Sequence, residues 1–428
     1  MQSMFYNAWS EMTQWRNISR VPSLPPTQST SEPSRDVAEL TSDTSDDISA
    51  RRSCVLRVLH IVNGQHFSGA ERVQTHLARR LPEFGVAVDF ACLTPDRFPL
   101  RFNVTTSKLF DMRMQSRFDI SAGQRVVELT RQGNYQLLHA HTPRSAMIAA
   151  YASRRTSIPW IYHVHSPAVA DSTRKLQNRI NGLMEHVCLK SVAHQITVSQ
   201  SLRSHTIDSG FRSDKVTTVH NGVPAIRPPR TKFPQVGEPW TLGIVALQRP
   251  RKGLEVLLDA MKLVRKDGHD VRLRCVGPFE TEGYEVDIRR RVAALDLTQH
   301  VEFTGFVDDV PAALAQLDAM VLPSLFGEGL PMVVLEAMAA AVPVIATRVE
   351  GTPEAITHDC EGLLAEAGNP QDLAAQIKRL VSGDVSWHKL AEAAVARHAE
   401  QFSDLAMARQ TAAVYRKVLA VGDDGSLL

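Results

Sequence analysis

Residues 318–347 read DAMVLPSLFGEGLPMVVLEAMAAAVPVIAT. The run opens on a short apolar strand and turns through a glycine-rich loop. It then enters a helix at 330–341 with Pro331 in its first turn and closes on a second buried strand. Proline suits that place because the first-turn amide has no intrahelical partner to lose. The small residues that follow let the helix lie close to a sheet. Strand, helix and strand in this order form the repeating unit of a parallel sheet with crossover helices.

Two carboxylates, Glu328 and Glu336, interrupt this run eight positions apart. The free N–H groups of Gly329 and Leu330, together with the positive end of the helix dipole, attract an anion, and the glycines admit a phosphate to the backbone. Glu328 lies just before that point, and Glu336 about 8 Å into the helix at 1.5 Å per residue. Carboxylates repel phosphate, so the two acids must face something else. Each can accept hydroxyl hydrogen bonds of the strong, charge-assisted class. A diphosphate joining two hydroxyl-rich groups fits: Glu328 on sugar hydroxyls, Glu336 on a ribose diol, backbone N–H groups on the phosphates. The plainer alternative makes Glu328 a capping acid and Glu336 a solvated helix residue.

The same alternation extends upstream. Immediately before this run, strands WTLGIVAL, VRLRCVG and HVEFTG alternate with helices predicted at 252–266, 283–295 and 309–316. Upstream, VLRVLHIV (55–62), a helix from Gly69 to about Phe84 and VAVDFACL (86–93) begin a first block, continued by YQLLHA, PWIYHV, HQITV and KVTTV. Between the blocks, residues 221–239 hold five prolines that block regular structure. The expected organisation is an N-terminal extension at 1–53, a first domain at 54–220, a linker at 221–239 and a second domain at 240–400. The segment 401–428 is expected to supply a helix crossing back to the first domain, then a tail. In open α/β sheets ligands bind beyond the carboxyl ends of the strands, so chemistry is expected in the loops that face the cleft between the domains.

Length and composition agree with two domains. At 428 residues the chain exceeds what one core usually supports. With 48 Lys and Arg against 46 Asp and Glu there is no global field for nucleic acid. The cysteines at 54, 92, 188, 275 and 360 form no CxxC pair, so neither a disulfide framework nor a cysteine zinc site is indicated, and a reducing cytoplasm fits. No apolar run reaches a membrane span or the core of a signal peptide, which predicts a soluble protein. Residues 20–50, rich in Ser, Thr, Pro and Asp, are expected to be disordered.

The E-x7-E spacing after PS, followed by EAMAAAVPVIAT, resembles the donor-site signature of retaining glycosyltransferases of family 4, which have the GT-B fold. Matching motifs recur in order over nearly all of 55–420: SGAERVQTHLARRL, LLHAHTP, IYHVHSP, ITVSQSL, VTTVHNGV, RPRKGLEVLLDA, VGPFE, VEFTGFVDDV and EGTPEAI. The resemblance implies two Rossmann-like, doubly wound parallel-sheet α/β domains facing across a cleft. It also implies no obligatory metal or cofactor. In RPRKG, Arg249 and Lys252 place cations where a leaving diphosphate needs them, and an anion relieves the penalty of cations at a helix start. Many relatives place the arginine five residues before the lysine, where this chain has Leu247, so Lys252 is the safer assignment. Gly69 is a reasonable contact in a glycine-punctuated loop; relatives carry two glycines where this chain has Ser68 and Gly69.

By the same resemblance, His165 lies near the reactive sugar, His141 and Ser199 border the acceptor, and Glu350 and Gly351 form a donor-side turn. Gly277 and Phe306 stand beside the nucleotide base, with core packing the alternative for Phe306. The pairs His139/His141 and His163/His165 share strand faces, and imidazole is the commonest metal ligand. No nearby cysteine or acid completes a first shell in sequence, so no metal site is expected, and His139 and His163 are read as packed or surface residues. The reading is a retaining glycosyltransferase moving a sugar from a nucleotide-diphosphate sugar to a hydroxyl of a glycan or lipid-linked acceptor. It would act in polysaccharide or lipid-linked glycan assembly, with peripheral contact at the inner membrane face through arginines such as Arg113, Arg117, Arg154 and Arg155. The rivals are a phosphorylase or nucleotide-sugar epimerase of the same fold, and a catalytically silent carbohydrate-binding protein.

Overall fold

The computed structural model describes residues 56–116, 119–166, 188–226, 234 and 238–420. The expected N-terminal extension, Arg117, most of the proline-rich segment and the last eight residues lie outside them. The first sheet contains β1 (Leu56–Val62), β2 (Val86–Cys92), β3 (Leu109–Asp111), β4 (Leu137–Ala140), β5 (Trp160–Val164), β6 (His194–Thr197) and β7 (Val216–Thr218). Their order is β3-β2-β1-β4-β5-β6-β7, all pairings parallel. The second sheet contains β8 (Trp240–Val245), β9 (Val271–Val276), β10 (Val301–Gly305), β11 (Ala319–Leu322), β12 (Val344–Thr347) and β13 (Gly362–Ala365). It is ordered β10-β9-β8-β11-β12-β13 and is also fully parallel.

Each order reverses once, between β1 and β4 in the first sheet and between β8 and β11 in the second. These reversals are the crevices where doubly wound sheets take ligands. The loops after β1, β4, β8 and β11 are therefore the structurally favoured ones, and they carry most of the residues singled out in the sequence. Apart from β3 and β10, which are partly exposed, the strands are largely buried on both faces, which is why they read as continuous apolar runs rather than alternating ones.

The helix after β11 is shorter than expected. It runs Met332–Ala339, and Pro331 precedes it with an extended backbone (ψ 115°) instead of entering the first turn. Ala341, at φ 58°, lies in the left-handed region just beyond its end. The helix after β8 starts at Leu254, because Pro250–Lys252 forms a 3-10 turn and Gly253 is left-handed at φ +68°. A Cβ on Gly253 would sit 2.1 Å from the Pro323 carbonyl oxygen, so the two switch-point loops can touch only because this residue has no side chain.

The chain's last elements return to the first domain. Helix Trp387–Arg397 leads through a π-turn at His398–Phe402 into helix Asp404–Leu419. Asp404 pairs with Arg80 Nε at 2.9 Å, and Arg416 donates to the Phe84 carbonyl at 2.7 Å. One apolar cluster runs through both domains, joining Val73 and Leu77 of helix Gly69–Arg80 with Val334 and Leu335, and with Met407 and Tyr415. Among the described residues no helix is long and apolar enough to cross a membrane.

Candidate active site

The loops after β11 and β12 are stitched together. The Glu350 carboxylate accepts the N–H groups of Gly327 and Glu328, both at 2.9 Å, and the Gly351 N–H donates to the Glu328 carbonyl at 3.0 Å. A Cβ on Gly351 would come within 1.8 Å of the Gly329 carbonyl oxygen, so only glycine permits this crossing. Glu350 thus organises the loop through its side chain, whereas the sequence had placed it only at a turn.

Glu328 is 5% exposed. Its Oε1 receives Lys252 Nζ and Ser324 Oγ, each at 2.5 Å, and the Arg251 guanidinium stands 3.7 Å from the same atom. Burial pushes the Lys252 ammonium down from its ordinary pKa, and the Glu328 carboxylate only partly offsets this. Arg251 also donates to the Gly327 carbonyl at 3.0 Å. Arg249, the cation named from sequence beside Lys252, lies instead 3.3 Å from Glu280. The 3-10 turn presents Arg251 and Lys252 to the glutamate while Arg249 stays extended before it. The signal for Arg251 was its place inside RPRKG; the turn that aims it has no sequence mark beyond Pro250.

Glu336 is also buried, at 4%, and pairs with Arg72 from helix Gly69–Arg80 of the first domain. It is therefore not a solvated helix residue. Gly69 opens that helix, and a Cβ on it would stand 3.6 Å from Met332 Cγ, so the N-termini of the two helices meet across the cleft. Gly277 is held by its neighbours: at φ +121° it packs on the Ala246 carbonyl, and its N–H donates to Gly305 at 2.8 Å. That N–H is committed within the domain. Phe306 is 64% exposed, which excludes core packing, and the Arg101 guanidinium lies 5.3 Å from its ring.

The first domain closes over this loop. A Cβ on Gly329 would sit 2.2 Å from the His165 carbonyl oxygen, and Asn221 Nδ2 donates to the Leu330 carbonyl at 3.0 Å. Ser199 caps helix Gln200–Asp208 through the Leu202 N–H. Glu354 reaches across to the same helix start, accepting from the Gln200 and Ser201 N–H groups at 2.7 and 2.8 Å and lying 3.1 Å from His220 Nε2. Glu328, Lys252, Gly329, Leu330, Glu350 and Gly351 thus meet His165, Ser199 and Gly69 around one cleft. Gly277 and Phe306 lie in the neighbouring loops after β9 and β10.

His141 belongs to a larger group. His60 on β1, His139 at the end of β4, His141 just beyond it, His163 on β5 and His165 beyond that converge on one face of the first sheet. His60 and His139 are partners in register. Tyr415 Oη contacts His60 Nε2 at 3.0 Å and His139 Nδ1 at 2.8 Å; His60 Nδ1 lies 3.2 Å from His141 Nε2, and His141 Nδ1 lies 3.1 Å from His165 Nε2. His60 and Tyr415 escaped the sequence reading because nothing local shows that β4 lies next to β1, or that the last helix covers both.

Burial lowers the pKa of His60 to about 3 and of His165 to about 4, and burial with mutual repulsion holds the other three well below 6.5. The folded-state values lie below the unfolded one, so between about pH 6.5 and 4 the unfolded chain binds more protons. Stability is therefore lost as pH falls through that window, at about 2 kcal/mol per imidazole between pH 7 and 5. In chelator-containing buffer the melting temperature should drop steeply below about pH 6, and less so for His163→Phe. A flat profile from pH 7 to 5 would contradict neutral burial of this group.

Comparison with known proteins fits this geometry. The family model described as "Glycosyltransferase Family 4" matches residues 67–227, and the one described as "Glycosyl transferases group 1" matches 239–383. The chain belongs to the group 1, family 4 glycosyltransferases. This glycosyltransferase is 27% identical over 348 residues to a phosphatidyl-myo-inositol mannosyltransferase of Mycobacterium leprae, covering 80% of this chain and 86% of that one. It is 26% identical over 380 residues to an N-acetyl-alpha-D-glucosaminyl L-malate synthase of Bacillus anthracis, covering 84% and 96%. Among solved structures, Anabaena Alr3699/HepE in complex with UDP superposes with a TM-score of 0.73 at 21% identity, covering 85% of this chain and all of that one. The fold is accordingly GT-B, as the sequence motifs implied.

Proposed function

We propose that this glycosyltransferase moves a hexose from a nucleoside diphosphate sugar to a hydroxyl acceptor with retention of anomeric configuration. The observation that carries the proposal is the buried Lys252–Glu328 pair, with Arg251 as a second cation beside it, near the start of helix Met332–Ala339 and facing His165 across the cleft. One structural relative, Anabaena Alr3699/HepE, has the same fold in complexes with UDP and with UDP-glucose, which supports a nucleotide sugar as the donor class.

In this reading the diphosphate lies at the start of helix Met332–Ala339, beside Gly69. Lys252 and Arg251 neutralise the charge that grows on the leaving diphosphate as the glycosidic bond breaks, with Arg249 further out along the same turn. This is electrostatic stabilisation placed where charge develops. The present contacts of Glu328 fall on Oε1; Oε2 takes sugar hydroxyls. Glu336 takes the ribose diol, exchanging Arg72 for it. The acceptor hydroxyl attacks from the face the diphosphate leaves, and its proton passes to a diphosphate oxygen, so no residue need act as a base.

His165, neutral at pH 7, positions a sugar hydroxyl by hydrogen bonding, with Ser199 and His141 behind it. Gly329, Leu330, Glu350 and Gly351 shape the loop, and Phe306 with the carbonyl of Gly277 borders the base. No metal or cofactor is required by this chemistry. The acceptor is a glycan or a lipid-linked glycan met at the cytoplasmic face of the membrane. The test is to screen nucleoside diphosphate hexoses by thermal shift, since a ligand bound only by the native state raises its melting temperature. Proton NMR of the transfer product then reads the anomer. An inverted linkage, or donor turnover only with free orthophosphate, would overturn the proposal.

A further inference from the structure

Two triads of imidazoles in the first domain have nitrogens lying within 4.8 Å of one another: His60, His139 and His141, and His141, His163 and His165. The first is sealed by Tyr415, whose hydroxyl contacts both His60 and His139. The second differs in two respects. His163 is 1% exposed, and neither of its ring nitrogens has a hydrogen-bond partner. A buried polar atom without a partner is costly, so this ring, set among other imidazoles, has both nitrogens free to take a ligand. His165 is only partly buried and sits at the cleft, giving an entry path.

We propose that His141, His163 and His165 form a binding site for a divalent transition metal of the zinc class. His141 Nδ1 and His165 Nε2 are 3.1 Å apart. Two nitrogens on a tetrahedral zinc, each at about 2.0–2.1 Å, stand about 3.3 Å from one another, so the pair needs little movement. Three histidines with one coordination position left toward the cleft make a set that zinc, copper, nickel and cobalt accept and that calcium and magnesium do not. His60 Nδ1 addresses the far nitrogen of His141, the outer hydrogen bond that usually fixes the orientation of a ligating imidazole. The set shares His165 and His141 with the acceptor side of the cleft, and its test, uptake of an ion, does not depend on transfer.

The full chain, stripped with chelator, is titrated with cobalt(II) and followed by visible absorption, with zinc(II) calorimetry beside it. The expected result is saturable uptake of about one ion per chain with the spectrum of four-coordinate cobalt. His163→Ala and His165→Ala should abolish it, while the exposed-loop control His66→Ala keeps it. Circular dichroism and melting temperature check that each variant is folded, and the wild-type titration stands if one is not. Absence of saturable binding by the wild-type chain overturns the proposal. So does binding that survives in folded His163→Ala but is lost in His60→Ala, which would place the ion in the other triad.

Discussion

Lys252→Ala is expected to slow transfer by about 10³-fold, the scale seen when one group aimed at developing charge is removed. The same change strands the Glu328 carboxylate in a site only 5% exposed. Breaking a buried pair from one side typically costs about 3–5 kcal/mol. Ser324 and the more distant Arg251 moderate that cost without replacing the ammonium. Lys252→Ala should therefore lose both activity and several degrees of melting temperature. The double variant Lys252→Met/Glu328→Gln, which removes both charges, should recover most of the stability and none of the activity. Rates at saturating donor and thermal melts of the three proteins separate the roles. Near-normal turnover in the folded single variant would remove Lys252 from the reaction.

Gly329→Ala is the second large effect, and it acts through geometry rather than charge. Its new Cβ would stand 2.2 Å from the His165 carbonyl oxygen and 3.1 Å from Leu202 Cδ1, both in the first domain. Backbone cannot yield there as a flexible side chain could, so the domains must part. A displacement of about 1 Å between reacting groups is enough to cost roughly 10²-fold in rate. Parting the domains also opens the apolar cluster they share, which holds Leu202 and Leu330. The expected result is a kcat/KM at least about 100-fold lower with a lowered melting temperature. Wild-type kinetics would mean that the cleft closes some other way during turnover.

These expectations show which parts of the molecule were legible in the sequence. The two sheets could be read because strands such as LRVLHIV and WTLGIV are buried on both faces and their apolar runs are continuous. β3 was missed because it is three half-exposed residues, and β13 because GLLA carries too little pattern to stand apart from the helix Pro370–Val381 after it. At the site, Glu328 and Lys252 were visible because a charge in an apolar or dipole-opposed setting calls for a partner. That each would be the other's partner, over a separation of 76 residues, follows only from the contact of Gly253 with Pro323. Arg72 and Glu354 were invisible for the same reason. Each is an ordinary helix residue until the domains close, and then one meets Glu336 and the other the start of helix Gln200–Asp208.

The central claim is that one helix mouth and its flanking acids hold both ends of the donor. The most direct measurement is a crystal structure of the protein with a nucleoside diphosphate hexose bound. The account predicts the diphosphate at the N-terminus of helix Met332–Ala339 beside Lys252, hexose hydroxyls on Glu328, and the ribose diol on Glu336 in place of Arg72. A donor bound elsewhere, with the Lys252–Glu328 and Arg72–Glu336 pairs both intact, would contradict it.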